Sequence, residues 1–329
     1  ALFNAGIIGF KKILDRGNIT NNLLGDEIEF DAKQFAESDI AQLYIDEMVD
    51  KFKKSTRVYR AMLDMERLLS IQELEDKDSS NSFFKKCKEI VTAFTQASIK
   101  TGLTTLEQEG TSTNILSLCE KLNKEQDFGQ AKVLLKSIDE DLQKPKVLET
   151  LFMKNIMYTK IRMIWDGVSF LNRLESKNDI KSSFNKAFIE PIRQMVSSSK
   201  KAKKQCSNCD IIYDDLKSFS FLNDIGIDIA RKKSAFWNYS PDLLICPLCS
   251  FVFACAPIGF NQIGQDLVFI NENKNIETLI RANGKLTFEE EAEDNYRYKI
   301  ICNLVLDEVN VKENEITNIE VLIRHSSNQ

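Results

Sequence analysis

The chain predicts an α+β protein, with a mainly helical N-terminal two thirds, a module built on two CxxC pairs and a β-rich C-terminal segment. Three observations carry this reading. From Ser38 to about Val196 apolar residues recur at helical spacing, with few glycines and only Pro145 and Pro191 as interruptions. Cys206-Ser-Asn-Cys209 and Cys246-Pro-Leu-Cys249 stand 36 residues apart, while Cys87, Cys119, Cys255 and Cys302 are scattered singly. After the second pair the apolar period changes to two. The expected divisions are a segment 1–37 packing with the C-terminal β region, a helical bundle 38–196, the cysteine module 197–260 and a β-rich segment 261–329.

The opening residues form a dense apolar run, ending at Lys11-Lys12 and followed by a turn at Asp15-Arg16-Gly17-Asn18. Gly6-Ile7-Ile8-Gly9 is no phosphate loop, because it lacks a third glycine and a Gly-Lys-Ser/Thr ending; close backbone packing explains the glycines better. Glu27 to Asp31 alternates as a short strand does. In the helical region Ile45, Met48, Val49 and Phe52 share a face, as do Cys87, Ile90, Val91 and Phe94. The longest stripe is Met153, Met157, Ile161, Ile164, Val168 and Leu171, a core pattern with no cofactor box implied. Glu73–Asn81 and Asn123–Gly129 read as exposed connections. Six or seven helices of ordinary length would fill the region.

Two residues between cysteines let a tight turn aim both sulfurs at one point. Two such turns complete a tetrahedral set, so Cys206, Cys209, Cys246 and Cys249 are the candidate ligands of a zinc ion. Four thiolates leave no coordination position for water, so the zinc is expected to be structural. The competing reading is four buried cysteines acting as small core residues.

With 43% hydrophobic and 9% aromatic residues, the 329-residue chain can bury a sizeable core in two or more domains. No stretch has the length and apolarity of a membrane span, and CxxC pairs without a disulfide framework suit a reducing compartment, so a cytoplasmic protein is expected. A net charge of −5 argues against holding bare nucleic acid by bulk electrostatics. The only histidine, His325, is expected at the surface near a chain end, which argues against His-dependent triads, His-ligated nucleases and HExxH proteases.

At Ser197-Ser-Ser-Lys-Lys-Ala-Lys-Lys204 the composition turns basic just before the first knuckle. Lys200, Lys201, Lys203 and Lys204, with Arg231, Lys232 and Lys233 and the aromatics Phe236, Trp237 and Tyr239 behind them, are candidate nucleic-acid contacts; the alternative is a linker and a packed small domain. Farther on, Tyr296 to Leu306 alternates as a long half-buried strand and Ile319, Val321 and Ile323 repeat the pattern. Leu267–Ile270 and Leu286–Phe288 are shorter strand candidates, Asn283-Gly284 is a turn signal and Glu289–Asp294 reads as a solvated acidic loop.

Taken together, Leu2-Phe3-Asn4-Ala5-Gly6-Ile7-Ile8-Gly9-Phe10, the helical middle, the two cysteine pairs and Pro257-Ile258-Gly259-Phe260 resemble the CRISPR-associated CXXC-CXXC family. The resemblance implies a non-catalytic large subunit of a type I-B Cascade interference complex. Such a subunit sits where the 5′ handle of the guide RNA is held, recognises the protospacer-adjacent motif in target double-stranded DNA, helps to open it and recruits a separate helicase-nuclease. Its implied partners are the other Cascade subunits, the guide RNA, the target DNA and that helicase-nuclease. Members of the family are usually longer, so a C-terminal helical region is expected to be missing from this sequence. Two other classes fit the residues: a metal-dependent nuclease with carboxylates not yet assembled, and a zinc-stabilised protein-interaction module.

Overall fold

The computed structural model describes residues 1–111, 113–165, 179–197, 202–218, 244–264, 266–284 and 319–324. The chain opens with helix α1 (Leu2–Arg16), the hairpin β1 (Asn21–Leu24) and β2 (Glu27–Phe30), and helices α2 (Ala32–Glu37) and α3 (Ile40–Phe52). A 3-10 turn (Lys53–Ser55) leads into α4 (Arg57–Ser70), α5 (Lys77–Phe94), α6 (Ala97–Gln108), α7 (Ile115–Leu122), α8 (Phe128–Leu142) and α9 (Pro145–Thr159). After a second 3-10 turn (Ile161–Met163) come α10 (Ile180–Phe184), a π-helical turn (Asn185–Ile189) and α11 (Glu190–Ser197). The remaining elements are β3 (Lys217–Ser218), β4 (Leu244–Ile245), α12 (Pro247–Ala254), α13 (Ala256–Gly259), β5 (Asn261–Ile263), β6 (Asp266–Glu272), α14 (Ile276–Gly284) and β7 (Ile319–Arg324). The protein is α+β, and its sheets are small and antiparallel, with strand orders β1-β2, β3-β4 and β5-β6-β7.

The chain forms two compact units. Of the described residues, 48–159 and 179–183 make one, and 1–47, 160–165 and those from 184 onward make the other. The helices expected over 38–196 are therefore shared between the units.

In the helical unit local signals set the elements. Cys87, Ile90, Val91 and Phe94 form the buried face of α5, and Phe83 meets Phe128 of α8 edge-on at 4.9 Å. The expected connections are shorter than their sequences suggested. Helix α5 already begins at Lys77, because Ser79 N–H donates to Asp76 Oδ1 at 2.7 Å and Ser79 Oγ accepts from Asp76 N–H; α8 begins at Phe128, where Gln130 N–H donates to Asp127 Oδ1 at 2.8 Å. The long Met/Ile stripe does not ride on one helix. Met153, Met157, Ile161 and Ile164 are all buried, but α9 ends at Thr159 and the unit boundary follows it; Val168 and Leu171 lie outside the described residues.

The cysteine-bearing unit is built on close approach. Helix α1 packs against α12 and α13, and its glycines permit backbone contact. A Cβ on Gly6 would sit 2.2 Å from the Val252 carbonyl oxygen and one on Gly9 2.1 Å from that of Cys255. From the other side, a Cβ on Gly259 would sit 1.9 Å from the Ala5 carbonyl oxygen. The expectation of close packing at Gly6 and Gly9 is met by the very segment that follows the second cysteine pair. Helix α1 also takes in Asp15 and Arg16, which were expected in a turn, with Lys11 paired to Asp15 at 2.7 Å; the chain turns at Gly17 and Asn18 instead.

Aromatic rings fill the centre of this unit. Phe251 of α12 lies edge-on to Phe10, Phe35 and Phe184, and Tyr44 stacks on Phe184 at 4.3 Å while its buried hydroxyl donates to the Ala254 carbonyl. Burial raises the Tyr44 hydroxyl well above its ordinary pKa and keeps it a donor. Pro191 sits inside α11 without an amide hydrogen, just after the π-helical turn, and the Ala187 carbonyl that its N–H would have met accepts from Lys217 Nζ at 3.3 Å.

At the sheet, β2 alternates as expected, and Leu267–Ile270 falls within β6. Ile319, Val321 and Ile323 fall within β7, with Ile323 packed on Ile263 and Val268. Asn283-Gly284, expected as a turn, ends helix α14 instead. Beyond the last β5 pairing, at Val268, the Asn283 side chain takes over the edge of β6. It accepts from Ile270 N–H at 3.0 Å and donates to the Ile270 carbonyl at 2.8 Å, so a buried amide does the work of a strand. Tyr296–Leu306, Leu286–Phe288, Glu289–Asp294, His325 and Cys302 lie outside the described residues.

Candidate metal centre

The first knuckle is the tip of a short hairpin. Tyr213 N–H donates to the Lys204 carbonyl at 2.8 Å, Gln205 bridges Ile212, and Cys206 N–H donates to the Ile211 carbonyl at 2.9 Å. Asp210 N–H returns to the Cys206 carbonyl at 3.1 Å, with Asp210 at φ +60, a conformation that Asn and Asp tolerate better than most residues. The turn so formed carries Cys206 inward, where it is fully buried, and leaves Cys209 exposed.

The second knuckle is a helix start. Cys246 is the N-cap of α12, Pro247 follows at the first helical position, and Cys249 N–H donates to Cys246 Sγ at 3.4 Å. The two knuckles are tied by backbone: Ser207 N–H donates to the Leu244 carbonyl at 2.8 Å, and Cys246 N–H to Cys206 Sγ at 3.2 Å. The two-residue strands β3 and β4, pairing Lys217 with Ile245, bring the chain into Cys246.

All four sulfurs lie within 4.8 Å of one another, and Cys209 Sγ is 3.6 Å from Cys246 Sγ. A tetrahedral ion with sulfur bonds of about 2.3 Å needs sulfur separations of about 3.8 Å. The set therefore fits a metal ion. Among the described residues it is the one group of three or more His, Cys, Asp or Glu side chains near enough to share one. N–H donors already aim at its sulfurs: the amides of Cys246 and Cys249, and Asn208 Nδ2 to Cys249 Sγ at 3.4 Å. Such donors offset the negative charge that four thiolates bring to a divalent cation.

Unlike the single cysteines, the thiols of this cluster share protons with one another, although burial raises Cys209 to about 12. Hydrogen bonding from the Cys249 thiol, and then from its amide, lowers Cys246 below the ordinary thiol range, while sharing its proton with Cys246 pushes Cys249 up. Burial alone raises Cys87 to about 11 and Cys119 to about 12, and raises Cys255 well above the ordinary thiol range. Those three are core residues that hold their protons.

Of the seven candidate nucleic-acid contacts, Lys203 and Lys204 are described. Both are exposed on the first strand of the knuckle hairpin. Their amides donate to Asp214 Oδ1 at 2.9 and 3.4 Å, and Lys204 Nζ donates to the Asp214 carbonyl at 3.2 Å. The Lys203 amide is the main reason the Asp214 carboxyl lies below its ordinary range. The structure thus brings these two lysines beside an anion and into the hairpin's own bonding. Lys200, Lys201, Arg231, Lys232 and Lys233, with Phe236, Trp237 and Tyr239, lie outside the described residues.

Sequence reading missed Asn208, which occupies one of the two unassigned places of the first CxxC; an amide inside a knuckle was the available signal. Gly259 stood in the Pro257–Phe260 segment, but its packing partner Ala5 on α1 lies more than 250 residues away and no local signal pointed to it.

Residues 199–261 match the family model described as CRISPR-associated protein (Cas_CXXC_CXXC). The matched stretch holds all four clustered cysteines and runs through α12 and α13 to the start of β5. The match supports a role in CRISPR defence. No curated protein and no solved structure matches the chain. Among the described residues no helix is long and apolar enough to cross a membrane.

Proposed function

We propose that this chain is a non-catalytic large subunit of a type I-B CRISPR interference complex, in which Cys206, Cys209, Cys246 and Cys249 hold a structural zinc ion. The observation that carries the reading is the coincidence of the family match with a four-sulfur cluster of tetrahedral dimensions. Soft thiolate ligands at such spacing favour zinc, which here supplies a cross-link and no open coordination position.

In this role the subunit works in the cytoplasm with the other complex subunits and the guide RNA. It reads the protospacer-adjacent motif of duplex DNA and recruits the helicase-nuclease. Most sequence reading is left to base pairing with the guide, while the protein grips backbones and reads one short duplex element. A net charge of −5 suits such a division, because a subunit docked on RNA and other proteins needs only local positive faces.

The test is purification of the tagged protein from cells carrying its native operon, with metal analysis, mass spectrometry of co-purifying proteins and sequencing of bound RNA. The expected result is one zinc per chain, repeated companion subunits and short RNAs sharing a constant 5′ segment. An RNA-free protein that cleaves nucleic acid with added divalent metal would overturn the reading in favour of a nuclease. Partners that survive RNase and high salt without any RNA would make it an interaction module.

A further inference from the structure

We propose that the corner joining the end of α3 to α4 is a contact for nucleic-acid phosphates, separate from the cysteine module and belonging to the helical unit. It rests on the nucleic-acid reading above but uses none of the residues assigned there. Residues 51–60 run Lys-Phe-Lys-Lys-Ser-Thr-Arg-Val-Tyr-Arg, five cations and no anion, in a chain with 44 Lys and Arg against 49 Asp and Glu. An acidic chain that gathers five positive charges in ten residues has a local field opposite to its overall one.

The corner is rigid beneath those charges. Phe52, Thr56 and Val58 are buried, Ser55 Oγ donates to the Phe52 carbonyl at 2.8 Å, and Thr56 Oγ1 donates to the Lys53 carbonyl at 2.6 Å while accepting from Tyr59 N–H at 3.1 Å. Lys54, Arg57 and Arg60 recur every third residue and are exposed. Arg57 and Arg60 stand three residues apart on α4, where side chains are surface neighbours, so both forks can reach one stretch of backbone. The start of a fourteen-residue helix adds its own positive end to the same place.

Solvated surface charge is the competing explanation; five cations within ten residues, with no anion among them, argue against it. At the corner Lys53 reaches Asp50 at 3.2 Å, and Arg60 only the Ser55 carbonyl at 3.4 Å. Among the described residues Lys54, Arg57 and Arg60 form no ion pair. Two exposed guanidinium forks and an exposed ammonium, none of them paired with a carboxylate among the described residues, match phosphate oxygens. Backbone binding of this kind is independent of base sequence.

The test uses the full chain in its purified complex. Lys54→Glu/Arg57→Glu/Arg60→Glu is compared with the milder Arg57→Gln/Arg60→Gln and with Lys85→Glu/Lys88→Glu, which reverses two exposed lysines of α5. Anisotropy is measured with a mixed-sequence 30-base-pair DNA and a 30-nucleotide RNA at several salt concentrations. The triple variant should lose at least tenfold in affinity for one of these probes, and its salt slope should flatten by about 2 to 3. The double Gln variant should flatten by about 2, and the α5 variant should change little. Thermal unfolding should be unchanged, since the altered groups are exposed.

If the wild-type complex binds DNA or RNA and the triple variant binds equally with the same slope, the corner is not a contact and the proposed function stands. If the wild-type complex binds neither, both fall. Loss of a protein subunit with nucleic-acid binding intact would make the corner a protein-docking face and overturn the inference.

Discussion

In the helical unit each helix is started and buried by residues near it in sequence, as Asp76 caps α5 and Cys87, Ile90, Val91 and Phe94 line its inner face. The cysteine-bearing unit closes instead on partners more than two hundred residues apart: Tyr44 on the Ala254 carbonyl, Asn4 on Asn271, Gly259 on Ala5. One unit is assembled from local signals and the other from the two ends of the chain. Long-range contacts must overcome loop-closure entropy before they contribute, so the second unit should depend more on any single tight contact and on a metal held by its four sulfurs.

The largest expected break in that comparison is at the metal. Cys206→Ser should reduce bound metal from about one ion per chain to near zero and open the 203–214 hairpin and α12 to proteases, because structural zinc can supply about 10 kcal/mol to a small module. The helical unit should keep its protection. Simultaneous digestion of both units would show that they do not differ in this way.

Next in size is Gly259→Ala. Its Cβ would meet backbone, which cannot swing aside, so a loss of about 3 kcal/mol is expected in denaturant unfolding. Gly284→Ala meets nothing within 4 Å and should change stability by less than about 0.5 kcal/mol. Equal effects at the two glycines would refute the close approach.

Lys154→Met sharpens the comparison from the helical side. Lys154 is fully buried, and desolvation lowers its pKa to about 8 from 10.5. The unfolded chain therefore binds the proton more tightly, and the wild type bears a cost that is full below about pH 8 and fades as pH rises to about 10.5. Removing the amine should stabilise this unit by about 2 kcal/mol at pH 7, with the gain shrinking through that window. A gain that does not vary with pH would mean packing and not charge. A smaller loss is expected for Asp127→Ala, which removes the cap of α8 and should cost about 1 kcal/mol, read as a local rise in amide exchange.

Much of this architecture was legible in residue order. The cysteine spacing named the four sulfurs that meet, alternation found β2 and β7, a short apolar run marked β6, and helical spacing found the buried face of α5. The misreadings have separate causes. Asn283-Gly284 has turn chemistry by composition, but the side chain is spent on Ile270, a partner no local window contains. The Met/Ile stripe keeps its period past Thr159 although the helix does not, since burial can continue across a break when each side has its own core. The 51–60 corner was passed over because its charge alternates with the core residues Phe52, Thr56 and Val58.

The sequence by itself determined which sulfurs could share an ion, which helix faces are apolar and which strands alternate, because knuckle turns and side-chain periods act within a few residues. Only the tertiary structure decided that α1 rests on the segment behind the second knuckle, that Asn208 and two amides face the sulfurs, and which cations lack a neighbouring carboxylate. Those depend on distances between residues remote in the chain, which are set by packing the whole core.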